Sequence, residues 1–242
     1  MCELSDGVTS VVRVGTTVHR GQGPWSVNVH MLLAHVAGRN FAGAPRFLGA
    51  DDDGREIVSF IDGATPDVVD DQILTDVAVL LHKYHDATVD CAAINLPGWQ
   101  LPSVQPIEVI CHNDIAPYNC IVRDGEVMGF IDFDTAAPGP RAWDIAYAIY
   151  RFVPLVADGD VGWQGVRTRL FLDAYGATST QRISAINLVA PRLRALIDFM
   201  QTQADAGNMA YAAHIAAGHA EIYRRDANYV TACQDELIGI CS

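Results

Sequence analysis

The chain has 242 residues, half of them apolar, with 16 Lys+Arg against 29 Asp+Glu and a formal charge of −13. That apolar share supports a buried core and excludes wholesale disorder, while the shortage of cations excludes the basic surface that nucleic-acid phosphates or an anionic bilayer require. No uncharged apolar run nears the roughly 20 residues of a membrane span, Met1 to Asp6 lacks the basic and apolar regions of a signal peptide, and the six scattered cysteines form no C-x-x-C pair, so a cytoplasmic protein with free thiols is expected.

The first 60 residues read as short strands around one helix. Val8 to Val14 and Thr16 to Arg20 are β-branched runs divided by Gly15, a hairpin signal. Val29, Leu32, Leu33 and Val36 form a helical stripe within 27–36, and Pro45 breaks it. Residues 46–49 and 56–61 make a second strand pair, turning through Asp51-Asp52-Asp53-Gly54. Asp62 to Pro66 is the linker, which gives an N-terminal lobe over 1–63 and a C-terminal lobe over 64–242. The acidic run Asp67 to Asp71 suits the start of a helix with apolar positions Ile73, Leu74, Val77, Leu80, Leu81 and Tyr84. Three prolines, Pro97, Pro102 and Pro106, mark a loop; 109–111 is a short strand; 119–122 and 127–131 form a hairpin turned at Asp124-Gly125; Pro138-Gly139-Pro140 ends this region. The rest reads as helices at 142–151, 163–175, 182–205 and 208–232. The fold class is α+β, a small antiparallel β lobe followed by a larger, mainly helical one.

The chemistry lies in His112-Asn113-Asp114-Ile115-Ala116-Pro117-Tyr118-Asn119, followed after a hairpin by Asp132-Phe133-Asp134: H-x-D-x-x-x-x-N, then D-F-D. Phosphoryl transfer needs a carboxylate beside the attacking hydroxyl and oxygen ligands for the magnesium that bridges the nucleotide phosphates. A loop between two strands holds Asp114 and Asn119 on one rim, and the hairpin returns the chain so that Asp132 arrives beside Asn119. Taken singly, each of these residues is more often a cap or a turn residue. Together, with the β-then-α layout, they point to function.

On these residues the sequence resembles the aminoglycoside phosphotransferase and choline kinase-like family of the protein-kinase-like fold. The resemblance is sharpest over 109–155, including Ala136-Ala137-Pro138-Gly139-Pro140-Arg141 and Asp144-Ile145-Ala146, and weaker elsewhere, as in 43–49 and Gly54-Arg55-Glu56. It implies two lobes, ATP or GTP with Mg2+ in the cleft, and transfer of the γ-phosphate to a hydroxyl of a small-molecule acceptor. That acceptor is either aminoglycoside-like or otherwise amine-bearing, with antibiotic resistance as a corollary, or neutral, like the sugars and macrolides phosphorylated by other members of this branch. The resemblance further implies Asp114 as base, Asn119 and Asp132 as magnesium ligands, His112 as a packing residue behind the loop, and Asp144 as an anchor for the next helix. Asp134 takes the place where many protein kinases have glycine. Adenine is expected at Phe60, Ile61 and Asp62, held mainly by backbone groups.

The N-terminal lobe departs from the family pattern. In place of the strand lysine and helix glutamate stand Arg20 and His30. Arg20 is either a substitute phosphate ligand, since a guanidinium binds phosphate bidentately, or a surface strand end. Only Leu4-Ser5-Asp6-Gly7 precedes the strand at Val8, which is short for a phosphate-covering loop. Trp25 is a lid over the cleft or a packing residue. His82 and His85 are half of a metal site or histidines with local bonds. Asp198, Asp205, Glu221, Asp226, Asp235 and Glu236 either line a cationic acceptor site or are solvated helix faces. The alternative to an enzyme is a nucleotide-binding pseudokinase or regulator, against which the joint presence of Asp114, Asn119 and Asp132 argues. The sequence carries no signal for oligomeric state.

Overall fold

The structure, a computed structural model, describes residues 2–3, 11–92 and 97–242. The expected loop Leu4 to Gly7 and the strand start at Val8 lie outside the described residues. Strands β1 (Cys2–Glu3), β2 (Val11–Val14), β3 (Thr17–Arg20), β4 (Phe47–Ala50) and β5 (Glu56–Ser59) form a five-stranded antiparallel sheet in the order β1-β2-β3-β5-β4. Register sets Thr17 opposite Ser59 and Arg20 opposite Glu56. Because side chains alternate along a strand, Val18 and Arg20 share one face of β3 while Thr17 and His19 share the other. On that second face His19 Nδ1 meets Asp51 Oδ2 at 2.9 Å, and Asp51 also holds the β4–β5 turn through Arg55 N at 2.9 Å and Arg55 Nε at 2.8 Å. The His19 bond is the main cause that lowers the Asp51 carboxyl to about 2. Helix α1 (Ser26–Gly38) buries Val29, Leu32, Leu33 and Val36, the expected stripe.

Helix α2 (Asp71–Ala92) starts where Asp70 Oδ1 accepts from Ile73 N at 2.8 Å and buries Leu74, Val77, Leu81 and Tyr84. Strand β6 (Val109–Cys111) packs on it, with Ile110 N donating to Thr88 Oγ1 at 3.3 Å. Hairpin strands β7 (Cys120–Arg123) and β8 (Glu126–Phe130) follow. Pro138, expected to end this region, instead lies within strand β9 (Ala137–Gly139), which pairs with β6. Pro138 lacks an N–H, and its carbonyl accepts from Val104 N at 2.9 Å, so its backbone polar edge faces away from β6 and the pair with Ile110 needs no donor from it. Phe130 N donates to Gly43 O at 2.9 Å, and a Cβ on neighbouring Gly129 would stand 2.9 Å from that same oxygen, so glycine permits the approach. The linker is pinned as well: Ala64 and Val122 exchange backbone bonds of 3.0 and 2.8 Å.

Two compact units divide the chain, Met1–Arg141 and Ala142–Ser242. The sheet and the β7–β8 hairpin share the first, tied by the Gly43–Phe130 and Ala64–Val122 bonds. The second contains α4 (Val161–Tyr175), α5 (Ser179–Asp205), α6 (Met209–Ala216), α7 (His219–Cys241) and nearly all of α3 (Arg141–Phe152). Its core includes Ile145, Ile149, Phe171, Leu172, Leu193, Val230 and Leu237. The single helix expected over 208–232 is two helices, because Gly218 takes φ +83 and breaks the ladder between α6 and α7. The cysteines whose side chains are described, Cys91, Cys111, Cys120, Cys233 and Cys241, are free. Among the described residues no helix is long and apolar enough to cross a membrane.

Candidate active site

The loop after β6 is ordered by its own side chains. Buried His112 donates from Nε2 to Ile131 O at 3.0 Å, so its Nδ1 accepts from Asp114 N at 3.3 Å. One imidazole thereby fixes the backbone of Asp114 and of the residue before Asp132. Its ring lies against Phe133, centroids 4.4 Å apart, as expected of a packing residue behind the loop. Pro117 opens a 3₁₀ turn over Pro117–Asn119, and Asn119 Nδ2 donates to Asp114 Oδ2 at 2.8 Å and to Asp114 O at 3.0 Å. Both amide protons are then committed to Asp114, and the amide atom left to act as a ligand is Oδ1. Tyr118 Oη donates to Asp114 Oδ1 at 2.6 Å. The hairpin delivers Ile131 N to Asn119 O at 2.9 Å, which sets Asp132 beside this loop. Asn113 and Asp132 both adopt positive φ, +66 and +62, a conformation that side-chain-bearing residues rarely hold unless the surroundings impose it. For Asn113 the imposing contact is Nδ2 to Thr135 O at 3.0 Å.

Above the loop, Arg20 faces three carboxylates. Its Nε donates to Glu56 Oε1, its Nη1 to Asp132 Oδ1 at 3.1 Å, and its Nη2 to Asp134 Oδ1 at 2.6 Å. Glu56 is almost fully buried, at 1% side-chain exposure, and its other oxygen bonds His30 Nε2. The His30 ring stacks on Phe47 with centroids 3.7 Å apart. Burial works against the Arg20 charge, but Asp134, Glu56 and Asp132 outweigh it and hold the guanidinium above its usual range. Burial pushes the Asp134 carboxyl up; Arg20 pulls it back, while Asp132 and Glu56 add to the rise.

Arg20 is therefore no surface strand end. The acid that pairs with it comes from β5, not from the helix, and sequence reasoning missed it. The available signal was a lone Glu at the start of the strand run Glu56-Ile57-Val58, where a charge inside a sheet needs a partner. His30 does not meet Arg20 directly; it reaches the same carboxylate. The sequence contains one lysine, Lys83, on α2, so in the described sheet the cation beside these carboxylates is an arginine.

Of the remaining expected residues, Trp25 borders this cluster, where its indole helps to lower the Asp134 carboxyl, and the others make contacts of their own. Phe60 follows β5, donates its N–H to Thr16 O at 2.9 Å, and has the Arg13 guanidinium 3.6 Å from its ring centroid. Ile61 packs toward Gly129, and Asp62 pairs at 3.4 Å with Arg123, both side chains well exposed. Trp25 folds its ring over Gly23. His85 is buried, and His82 pairs with Asp86 at 3.1 Å. Among the described residues no group of three His, Cys, Asp or Glu is arranged to hold a metal. Of the six helical acids, five are exposed, while Asp226 is buried and accepts from Tyr150 Oη at 2.9 Å.

The donor set nevertheless suits a hard cation. Asn119 Oδ1 and the Asp132 carboxylate, 51% exposed with Oδ1 on Arg20, are oxygen donors only, which fits Mg2+ in a site that shares its coordination with phosphates and water.

A sheet-borne cation above a hydrogen-bonded Asp–Asn loop and a hairpin ending in Asp defines a phosphotransferase of the protein-kinase-like fold. Known proteins agree with that class. Residues 90–178 match the model of the phosphotransferase enzyme family. The trifolitoxin immunity protein of Rhizobium leguminosarum bv. trifolii is 32% identical over 200 residues, spanning 75% of this chain and 76% of that protein. A choline/ethanolamine kinase family protein of Mesorhizobium loti superposes with a TM-score of 0.64 at 14% identity, over 99% of this chain and 91% of that one. The GDP complex of an aminoglycoside 2'-phosphotransferase-IIIa variant gives 0.60 at 14% identity, over 96% and 92%. The chain belongs to the phosphotransferase enzyme family.

Proposed function

We propose that this protein transfers the γ-phosphate of ATP or GTP to a hydroxyl of a small molecule, with Asp114 as the general base. The observation that supports this best is the single hydrogen-bonded unit formed by Asp114 and Asn119, with Asp132 held beside it through Ile131. In this reading Asn119 and Asp132 hold Mg2+, which when bound neutralises charge on the nucleotide phosphates. Arg20 takes phosphate oxygens, Phe60, Ile61 and Asp62 border the base of the nucleotide, and Glu56 keeps Arg20 oriented. Residues 1–63 form the nucleotide lobe; residues 64–242 carry the catalytic loop and the acceptor site. A cytoplasmic location supplies the nucleotide.

The acceptor is read as a small amine-bearing hydroxyl compound. An acidic chain suits a cation, and the solved relatives carry the names of choline/ethanolamine and aminoglycoside enzymes. The trifolitoxin immunity relative fits an acceptor that is itself toxic, such as an antibiotic. The test is magnesium-dependent nucleotide turnover across a panel of hydroxyl compounds, amine-bearing and neutral. Transfer to an amine-bearing member, abolished in Asp114→Asn, supports the reading. Nucleotide binding without turnover on any member favours the pseudokinase alternative.

A further inference from the structure

The catalytic loop places a second hydroxyl on the proposed base. Tyr118 Oη lies 2.6 Å from Asp114 Oδ1, while Oδ2 is taken by Asn119 Nδ2 at 2.8 Å. Both bonds come from one 3₁₀ turn, closed by Asn119 N to Ala116 O at 2.9 Å, so the phenol is placed by backbone geometry as well as by its own side chain. Tyr118 is 46% exposed, so no packed core holds its ring in place. A phenol O–H aimed at a carboxylate oxygen presents what an acceptor presents: a hydroxyl whose proton points at the base. At 2.6 Å the bond is short and charge-assisted, the kind that costs most to exchange for water.

We propose that Tyr118 is a positioning residue that stands in for the acceptor hydroxyl on Asp114 in the resting enzyme. The inference rests on the phosphotransferase reading. The phenol orients the carboxylate and keeps water from donating to Oδ1; an acceptor hydroxyl that binds beside the loop displaces it. The reaction suppressed is hydrolysis. In it a water oxygen forms the bond to the γ-phosphorus, the bond from that phosphorus to the β–γ bridging oxygen breaks, the water proton passes to Asp114, and nucleoside diphosphate and phosphate leave. Tyr118 thus couples nucleotide consumption to the presence of acceptor.

The test needs no knowledge of the acceptor. Phosphate release from Mg-ATP without acceptor is measured for the wild type, Tyr118→Phe, Tyr118→Leu, Asp114→Asn and the Tyr118→Phe/Asp114→Asn double variant, with nucleotide binding followed separately by a fluorescent ATP analogue. Tyr118→Phe and Tyr118→Leu are expected to release phosphate at least tenfold faster than the wild type, a factor of ten being about 1.4 kcal/mol. The double variant loses that gain. A merely structural role for Tyr118 lowers hydrolysis instead of raising it. Release by Tyr118→Phe at or below the wild-type rate, with nucleotide bound, overturns the proposal and leaves the phosphotransferase reading standing. Failure of every form to bind nucleotide overturns both.

Discussion

Glu56 is the residue whose removal most directly tests the description of the site. It is buried at 1% exposure between Arg20 and His30, one carboxylate oxygen on each. Removing one partner of a buried ion pair costs about 3–5 kcal/mol, because the charge left behind has lost its solvent as well as its partner. Arg20 retains Asp132 at 3.1 Å and Asp134 at 2.6 Å, so Glu56→Ala belongs at the low end, about 3 kcal/mol. Glu56→Gln preserves shape and one acceptor and should cost about 1–2 kcal/mol. Either loss is a large share of a domain stability of roughly 5–15 kcal/mol. Urea unfolding of Glu56→Ala, Arg20→Ala and the double variant closes a thermodynamic cycle, with an expected coupling of about 1–3 kcal/mol. Without Glu56 the guanidinium is also left wholly to Asp132 and Asp134, so nucleotide turnover should require more magnesium. A coupling below about 0.5 kcal/mol, the level at which independent sites add, would refute the argument that Glu56 holds Arg20.

Asp114→Asn should lower transfer by roughly 10²–10⁴-fold, the contribution of a positioned acid–base group, with nucleotide affinity largely kept; near-normal kcat in that variant would sink the assignment of the base. Asp132→Ala and Asn119→Ala should both raise the magnesium needed for half-maximal activity, Asp132→Ala the more because it removes a formal charge from a hard cation's shell; equal activity with and without a divalent ion would contradict the proposed ligands. Asp51 should contribute to stability at neutral pH and stop doing so in acid. Its carboxyl is lowered from 3.8 to about 2, so its contribution is complete above about pH 4 and is lost as pH falls through 2. The stability difference between wild type and Asp51→Asn, followed by urea unfolding, should be constant from pH 7 to 5 and shrink below 4; a difference unchanged at pH 2.5 counts against it. If the acceptor is an amine, its KM should rise with salt more steeply than that of ATP, and a salt-insensitive acceptor KM argues against a cationic substrate.

The Asp114–Asn119 loop was legible in the sequence because its contacts are local. Asp114 and Asn119 are five residues apart and bond to each other, and Asp132 follows one hairpin later. Helices α1 and α2 were legible because each buries a stripe of period 3.6. Glu56 was not, because its role depends on the pairing of β3 with β5, strands separated by a helix and a fourth strand; only that register sets it opposite Arg20. Strand β9 was hidden by Pro138, which reads as a breaker, whereas its pairing with β6, more than twenty-five residues earlier, makes the segment a strand. The break between α6 and α7 was within reach: Gly218 sits in an otherwise unbroken apolar pattern, and the periodicity outweighed it.

The lone lysine has a practical consequence for anyone seeking this protein by its reactivity. Lys83 stands on α2, lining a cavity with Arg39, Phe41, Leu80 and Met128, whereas the carboxylate cluster is matched by a guanidinium. Acyl-phosphate nucleotide probes mark kinases by acylating a lysine amine beside the bound phosphates, and a guanidinium, protonated at any workable pH, is not acylated. If Arg20 holds the nucleotide phosphates as proposed, such a probe would leave this protein untagged there however tightly it bound. A guanidinium-directed dicarbonyl reagent is the matching chemistry, with protection of Arg20 by nucleotide as its readout.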